Sequence, residues 1–330
     1  MKVVLPLVAV CALFALGYLG GSVAPGWLVG AAVPYAAATV FLVGISYRVL
    51  LWARVPVPFR IPTTCGQQRS LPWIRPARLD NPFTGAGAIG RVLLEVLCFR
   101  SLLRNTRARF TPDRRLVYGT SLVLWLGALA MHWSLLIILL RHLRFAFDPV
   151  PGAIATLQGI DGFLEVGLPP WYVSTVLFVA ATTYLLFRRL VRAQVRYISL
   201  PADYFPLLLL LGIGLSGLTL RHLLHTDVAA IKELTAGLVS FQPTVPAGIS
   251  PLFFGHLFLV SVLLAYFPFS KLVHLGGIFL SPTRALANNS RAVRHINEWN
   301  YPVTVHAYAD YEDELRAKMV GAGIPVERDA

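Results

Sequence analysis

The stretch at about residues 5–21 carries no charged side chain, and five later stretches are nearly as apolar: about 27–52, 116–142, 170–187, 201–223 and 251–276. Each approaches the ~20 residues that an α-helix needs to cross a ~30 Å hydrocarbon layer. In lipid the backbone N–H and C=O groups have no water to bond, so a spanning segment of this kind must be helical. The pattern predicts an all-α integral membrane protein with six transmembrane helices. Composition agrees, since 56% of the 330 residues are hydrophobic and only 14% are charged. A water-soluble domain carries about a quarter charged residues.

The formal net charge of +13 would suggest nucleic acid in a soluble chain. Here the basic residues cluster between apolar spans, which excludes that reading and sets orientation instead. Residues 53–115 hold twelve arginines, residues 188–200 hold four, and residues 271–330 hold seven Lys or Arg. On the other side, residues 141–169 and 221–250 hold only Arg141, Arg144, Arg221 and Lys232. Positive loops stay inside, so both termini and the 53–115 segment are expected in the cytoplasm of a cell inner membrane. Lys2 and the apolar run after it resemble a signal peptide, but no Ala-x-Ala pattern closes the run, and it is read as a retained helix.

Four regions result: two N-terminal helices (1–52), a basic cytoplasmic segment (53–115), a transmembrane bundle (116–276) and a polar cytoplasmic tail (277–330). Within the basic segment, residues 89–104 read as an amphipathic helix, suited either to anionic headgroups or to a soluble partner. Cys11, Cys65 and Cys98 form no CxxC pair, so neither a thiolate iron–sulfur site nor a disulfide framework is expected. Cys65 is the one in a polar loop.

Ionisable residues inside spans are costly and therefore point to function. The third span carries His132 and His142, and the sixth carries His256 and His274. The two spans run in opposite directions, so His132 falls opposite His274 near the cytoplasm and His142 opposite His256 near the periplasm. Facing imidazoles are the axial set of a b-type haem, and two levels make a two-haem wire. Neutral imidazole coordinates iron without placing a net charge in lipid. The plainer reading has each histidine capping a span or bonding nearby backbone. On ideal helices His256 and His274 stand ~27 Å apart, but His132 and His142 only ~15 Å. Matching both levels therefore requires tilt and a bend at Pro268. Arg141, Arg144 and Lys271 lie beside these histidines, where they could pair with haem propionates or anchor the interface.

The His-x9-His and His-x17-His patterns, the latter with Phe267-Pro268-Phe269-Ser270-Lys271-Leu272-Val273-His274, resemble the nitrate reductase gamma subunit family over about residues 116–295. That resemblance implies a four-helix haem-binding bundle with two haem b, His132 paired with His274 and His142 with His256. Further stretches resemble the DsrM family, the cytochrome b subunits of DsrMKJOP complexes of dissimilatory sulfur metabolism. They are Met131-His132-Trp133-Ser134, residues 140–145, residues 62–68 and Asn297-Glu298-Trp299-Asn300-Tyr301-Pro302-Val303. The extra first span departs from the five-span nitrate reductase gamma subunit but fits that type. It implies an electron-transfer subunit of a menaquinol-linked oxidoreductase, not a complete enzyme alone. Its partners would be a cytoplasmic iron–sulfur subunit resembling heterodisulfide reductase, a periplasmic multihaem cytochrome c, a periplasmic iron–sulfur protein and a second membrane subunit.

Quinone-site candidates are Asp161 and Glu165 in the outer loop and His222 and His225 at the end of the fifth span; a solvated loop and an interfacial cap are the plain alternatives. His295 and His306 are expected to be exposed in the tail. Two rival functions stand beside the main one: a nitrate reductase anchor, and a non-haem membrane protein relaying protons through histidine.

Overall fold

The computed structural model describes residues 2–55, 66–104, 107–162, 169–224, 226–289 and 306–327. The elements are α1 (Val4–Val23), α2 (Val33–Ala53), α3 (Gly85–Cys98), α4 (Arg100–Leu103), β1 (Arg107–Phe110), β2 (Leu116–Gly119), α5 (Leu122–His142) and α6 (Gly152–Asp161). They continue with α7 (Val173–Val191), α8 (Ala193–Ile198), α9 (Pro201–His222), α10 (Val228–Val239), α11 (Pro251–Tyr266), α12 (His274–Leu280) and α13 (Tyr308–Gly321). Among the described residues six helical segments are long and apolar enough to cross a membrane: Val4–Val23, Leu28–Ala53, Leu122–Phe145, Val173–Val191, Pro201–His222 and Pro251–Phe269. The protein is an all-α, multi-pass membrane protein.

Proline placement shapes the spans. Pro34 begins α2 and has no N–H to give, and the turn before it, Leu28–Ala32, widens into π geometry. The third span starts at Leu122, later than the sequence suggests. Leu116–Gly119 instead pairs antiparallel with Arg107–Phe110, Phe110 opposite Leu116, closed by a turn through Pro112. The fourth span likewise shifts, to Val173–Val191, because Pro169 and Pro170 cannot sit inside a helix.

The sixth span breaks. Helix α11 stops at Tyr266 and a tight 3-10 turn covers Phe267–Phe269. Ser270 is then extended at φ −115°, ψ 177°, and its hydroxyl accepts from the Leu272 N–H. His274 opens a new short helix, so it does not lie five helical turns from His256 on one axis. The break at Pro268 lets His274 leave the axis that carries His256.

Helices α5, α7, α9 and α11 pack in that order, while α5 and α11, at the ends of the row, make little contact with each other. Met131, Phe178, Ala181 and Leu210 fill the space between α5, α7 and α9. Val10, Tyr204, Leu209 and Leu259 join α1, α9 and α11. α1 lies against α11 through Gly17 and Gly21, a small-xxx-small spacing. A Cβ on Gly17 would sit 2.5 Å from Cβ of Phe258 and 2.9 Å from the Phe254 carbonyl oxygen, so no larger residue fits there.

Around α3 a polar scaffold ties distant chain segments together. Glu95 accepts from the Ser101 N–H at 2.9 Å and from Arg284 at 2.9 Å. Asn288 donates to Asn81 at 2.7 Å and, through its backbone, to the Pro82 carbonyl at 2.7 Å. Asp80 pairs with Arg100 and, at 2.5 Å, with Arg104. Partial burial opposes ionisation of Asp80, but hydrogen bonds and charge from those two arginines outweigh it and hold the carboxyl below its ordinary value.

Candidate functional site

His132 sits in the middle of α5 and His274 at the head of α12. Their ring centroids are 6.0 Å apart and their planes cross at 78°. His142 ends α5 and His256 lies in the second turn of α11, close enough to interact electrostatically. His132 thus has its counterpart on the opposite end of the helix row, across the line where α5 and α11 do not pack closely, and His142 and His256 are carried by those same two helices.

The hydrogen bonds fix which nitrogen each ring presents. Nδ1 lies 2.8 Å from the Ala128 carbonyl in His132, 2.7 Å from Ile138 in His142, and 2.7 Å from Lys271 in His274. A carbonyl only accepts, so in each ring Nδ1 carries the hydrogen and Nε2 keeps its lone pair. His256 is oriented through a side chain, and its Nδ1 is the donor when the Ser216 hydroxyl points to backbone. Its Nδ1 is 2.9 Å from Oγ of Ser216, which also lies 2.7 Å from the Gly212 carbonyl. Orientation of one imidazole nitrogen by a backbone or side-chain acceptor is the usual support of a metal-ligating histidine.

This donor set suits one kind of metal site. Among the described residues no three His, Cys, Asp or Glu side chains gather into one cluster. A metal held here would take two imidazoles from the chain and its remaining donors from a planar macrocycle. At about 2 Å per metal–imidazole bond and roughly 1.1 Å from nitrogen to ring centre, two axial imidazoles stand ~6 Å apart. The His132–His274 separation matches that figure.

Beside His142 the structure builds a buried polar cluster. Nε of Arg141 lies 2.7 Å from Oδ2 of Asp161, both side chains only 6% exposed. Asp161 also accepts from the Ser174 N–H at 2.8 Å and hydroxyl at 2.6 Å. Arg141 donates to Ser174 and Thr175. Tyr172 is sandwiched, with Arg141 3.7 Å and Arg221 4.3 Å from its ring centroid. Arg144 donates to Gln158 at 3.0 Å and to the Tyr172 hydroxyl at 3.4 Å. Asp161 therefore ends α6 inside the protein and is not a residue of a solvated loop.

The other expected residues fall as follows. Arg141 and Arg144 are engaged with protein groups as above, and Lys271 pairs with Asp203 at 2.6 Å. His222 stacks on Trp171, centroids 4.0 Å apart and planes within 9°. His306 is exposed. Glu165, His225, Cys65 and His295 lie outside the described residues, as do residues 62–65 and the 297–303 stretch. The sequence reading missed Ser216, which orients His256 from another helix, and Phe99, whose ring meets His132 edge-on at 4.9 Å. Neither has a signal in sequence spacing, because each is joined to its histidine only by tertiary packing.

Comparison with known proteins follows the same line. Residues 92–295 match the family described as nitrate reductase gamma subunit. The chain is 45% identical over 282 residues to the Hdr-like menaquinol oxidoreductase cytochrome b-like subunit of Archaeoglobus fulgidus, covering 83% of this chain and 84% of that one. It is 39% identical over 276 residues to the subunit of the same description from Archaeoglobus profundus, covering 82% of each. The six spans, the histidine-bearing helices and these matches agree: the chain belongs to the nitrate reductase gamma subunit family.

Proposed function

We propose that this chain is the membrane diheme cytochrome b subunit of a menaquinol-linked oxidoreductase complex. His132 and His274 hold one haem b, and His142 and His256 hold the other. The observation that carries the reading is that all four Nδ1 atoms are hydrogen-bonded, three of them to backbone carbonyls and that of His256 to Ser216, so that Nε2 is the nitrogen available to a metal in each ring.

Haem bound at these positions supplies one-electron transfer. The chain's own contribution is placement. α5 offers two imidazoles to one side, α11 and α12 offer two to the other, and α7 and α9 hold these supports at a fixed spacing. Ser216 orients His256, and the Phe99 ring packs T-shaped against His132. The Arg141–Asp161 pair locks α5 to α6 and α7 immediately next to His142. Menaquinol is assigned to the face that carries His142, and the soluble electron partner to the arginine-rich face that carries His132. The Lys and Arg bias supports assigning that arginine-rich face, with both termini, to the cytoplasmic side of an inner membrane.

For the partner, the reading rests on relatives described as Hdr-like and on the DsrM resemblance. It names a cytoplasmic iron–sulfur subunit of the heterodisulfide-reductase kind, within a DsrMKJOP-type assembly of dissimilatory sulfur metabolism. A periplasmic multihaem cytochrome c, a periplasmic iron–sulfur protein and a second membrane subunit complete that assembly. Purification from the native membrane tests this directly. Co-elution of a disulfide-reductase-like subunit, with absorbance changes of b-type haem on adding a menaquinol analogue, is the expected result. Co-elution of a molybdenum enzyme, or no response to the quinol, would overturn it.

A further inference from the structure

Helix α3 is inside out for a helix facing water. Its buried positions are Ala88, Arg91 and Glu95, while Ile89, Leu93 and Leu97 are 64%, 52% and 46% exposed. The polar face thus turns toward the protein, where Glu95 meets Ser101 and Arg284, and a stripe at i, i+4, i+8 turns outward. Water would make such an arrangement costly, because the apolar stripe is the part that burial stabilises.

Where α3 sits is fixed by a spanning helix. The indole N–H of Trp125 donates to the Cys98 carbonyl at 2.7 Å, and that of Trp133 to the Leu97 carbonyl at 3.0 Å. On α5 these tryptophans lie ~5 and ~16 Å along the axis from Leu122. The C-terminal end of α3 is therefore held against α5, a membrane-crossing helix that itself exposes the apolar residues Leu122, Val123 and Leu126. Arginines at positions 69, 75 and 78 precede it in sequence, and Arg100 and Arg104 follow it sharing the single carboxylate of Asp80, so the segment keeps a positive excess for anionic headgroups.

We infer that α3 is a lipid-embedded interfacial helix whose Ile89–Leu93–Leu97 stripe contacts the acyl chains of an anionic leaflet. The inference does not depend on what the histidines bind. It has one consequence for them: α3 ends at Phe99, in left-handed backbone geometry at φ 49°, and that residue packs on His132. The lipid contact thus supports the residue packed against a ligand ring.

Single cysteines at positions 89, 93 and 97, in a full-length chain with Cys11, Cys65 and Cys98 replaced by serine, would carry a nitroxide label. A label at Asp113, exposed in the turn between β1 and β2, is the aqueous reference. In nanodiscs of phosphatidylglycerol and phosphatidylcholine, collisions with oxygen and with a water-soluble nickel chelate are measured by power-saturation EPR. The oxygen-to-nickel ratio should be several-fold higher at 89, 93 and 97 than at 113. Nickel accessibility equal to that at 113 overturns the inference. So does shielding that develops only when the complex's soluble subunit is added, since the stripe would then be a protein-docking surface. Three separate positions keep the test decisive if one labelled variant fails to fold.

Discussion

His132 and His274 come from different helices, separated in sequence by most of the bundle, and their rings stand 6.0 Å apart with planes crossing at 78°. A low-spin ferric haem held by two imidazoles at such an angle would have strongly unequal magnetic axes. EPR of the oxidised protein should therefore show a highly anisotropic low-spin signal, and His274→Ala should abolish it. Only rhombic signals, of the kind parallel imidazoles give, would contradict the geometry at this level.

Ser216 is the orienting partner of His256, and Ser216→Ala removes it while leaving the ligand in place. Loss of such a supporting hydrogen bond typically weakens metal affinity about 10–100-fold. Haem titration of the variant should show one weakened and one unchanged site, together with a shifted midpoint potential for the weakened one. Two unchanged sites would mean that Ser216 only packs.

Arg141 and Asp161 form a buried pair, so removing one partner is worse than removing both. Asp161→Ala strands a buried guanidinium and should cost about 3–5 kcal/mol, while Arg141→Met with Asp161→Leu should cost far less. Thermal unfolding in detergent distinguishes them. Equal loss in the single and double variants would show that the pair contributes nothing specific.

Asp80 gives the arginine-rich segment a pH dependence of known sign. Its carboxyl is held below the ordinary value of 3.8, so its contribution is fully present above that value. It is lost as the pH falls through the lower value of the folded state. Amide exchange across residues 77–104 should stay slow from neutral pH down to about 4 and quicken below it. Asp80→Asn should exchange faster at neutral pH and lose that acid step.

Much of this was legible beforehand because lipid imposes simple rules. Span length and helical geometry follow from hydropathy, and the cost of placing polar groups in hydrocarbon singles out four histidines, of which the fold brings the His132 and His274 rings together. What failed to show was local and tertiary. Leu116–Gly119 looks like the start of a span because strand and helix share apolar residues over so short a run. A bend at Pro268 follows from its missing N–H, but the extended Ser270 after it has no signal in the sequence. Asp161 read as a loop carboxylate because its partner lies 20 residues earlier on another helix, and nothing in spacing links them.

The central claim is that four histidines hold two haems, and a haem count per chain tests it most directly. Pyridine haemochrome analysis of the purified, dithionite-reduced protein should give two b-type haems per chain. His132→Ala and His142→Ala should each retain one, and the double variant none. A wild-type chain that binds no haem when haem is supplied, or single variants that keep both, would contradict the account.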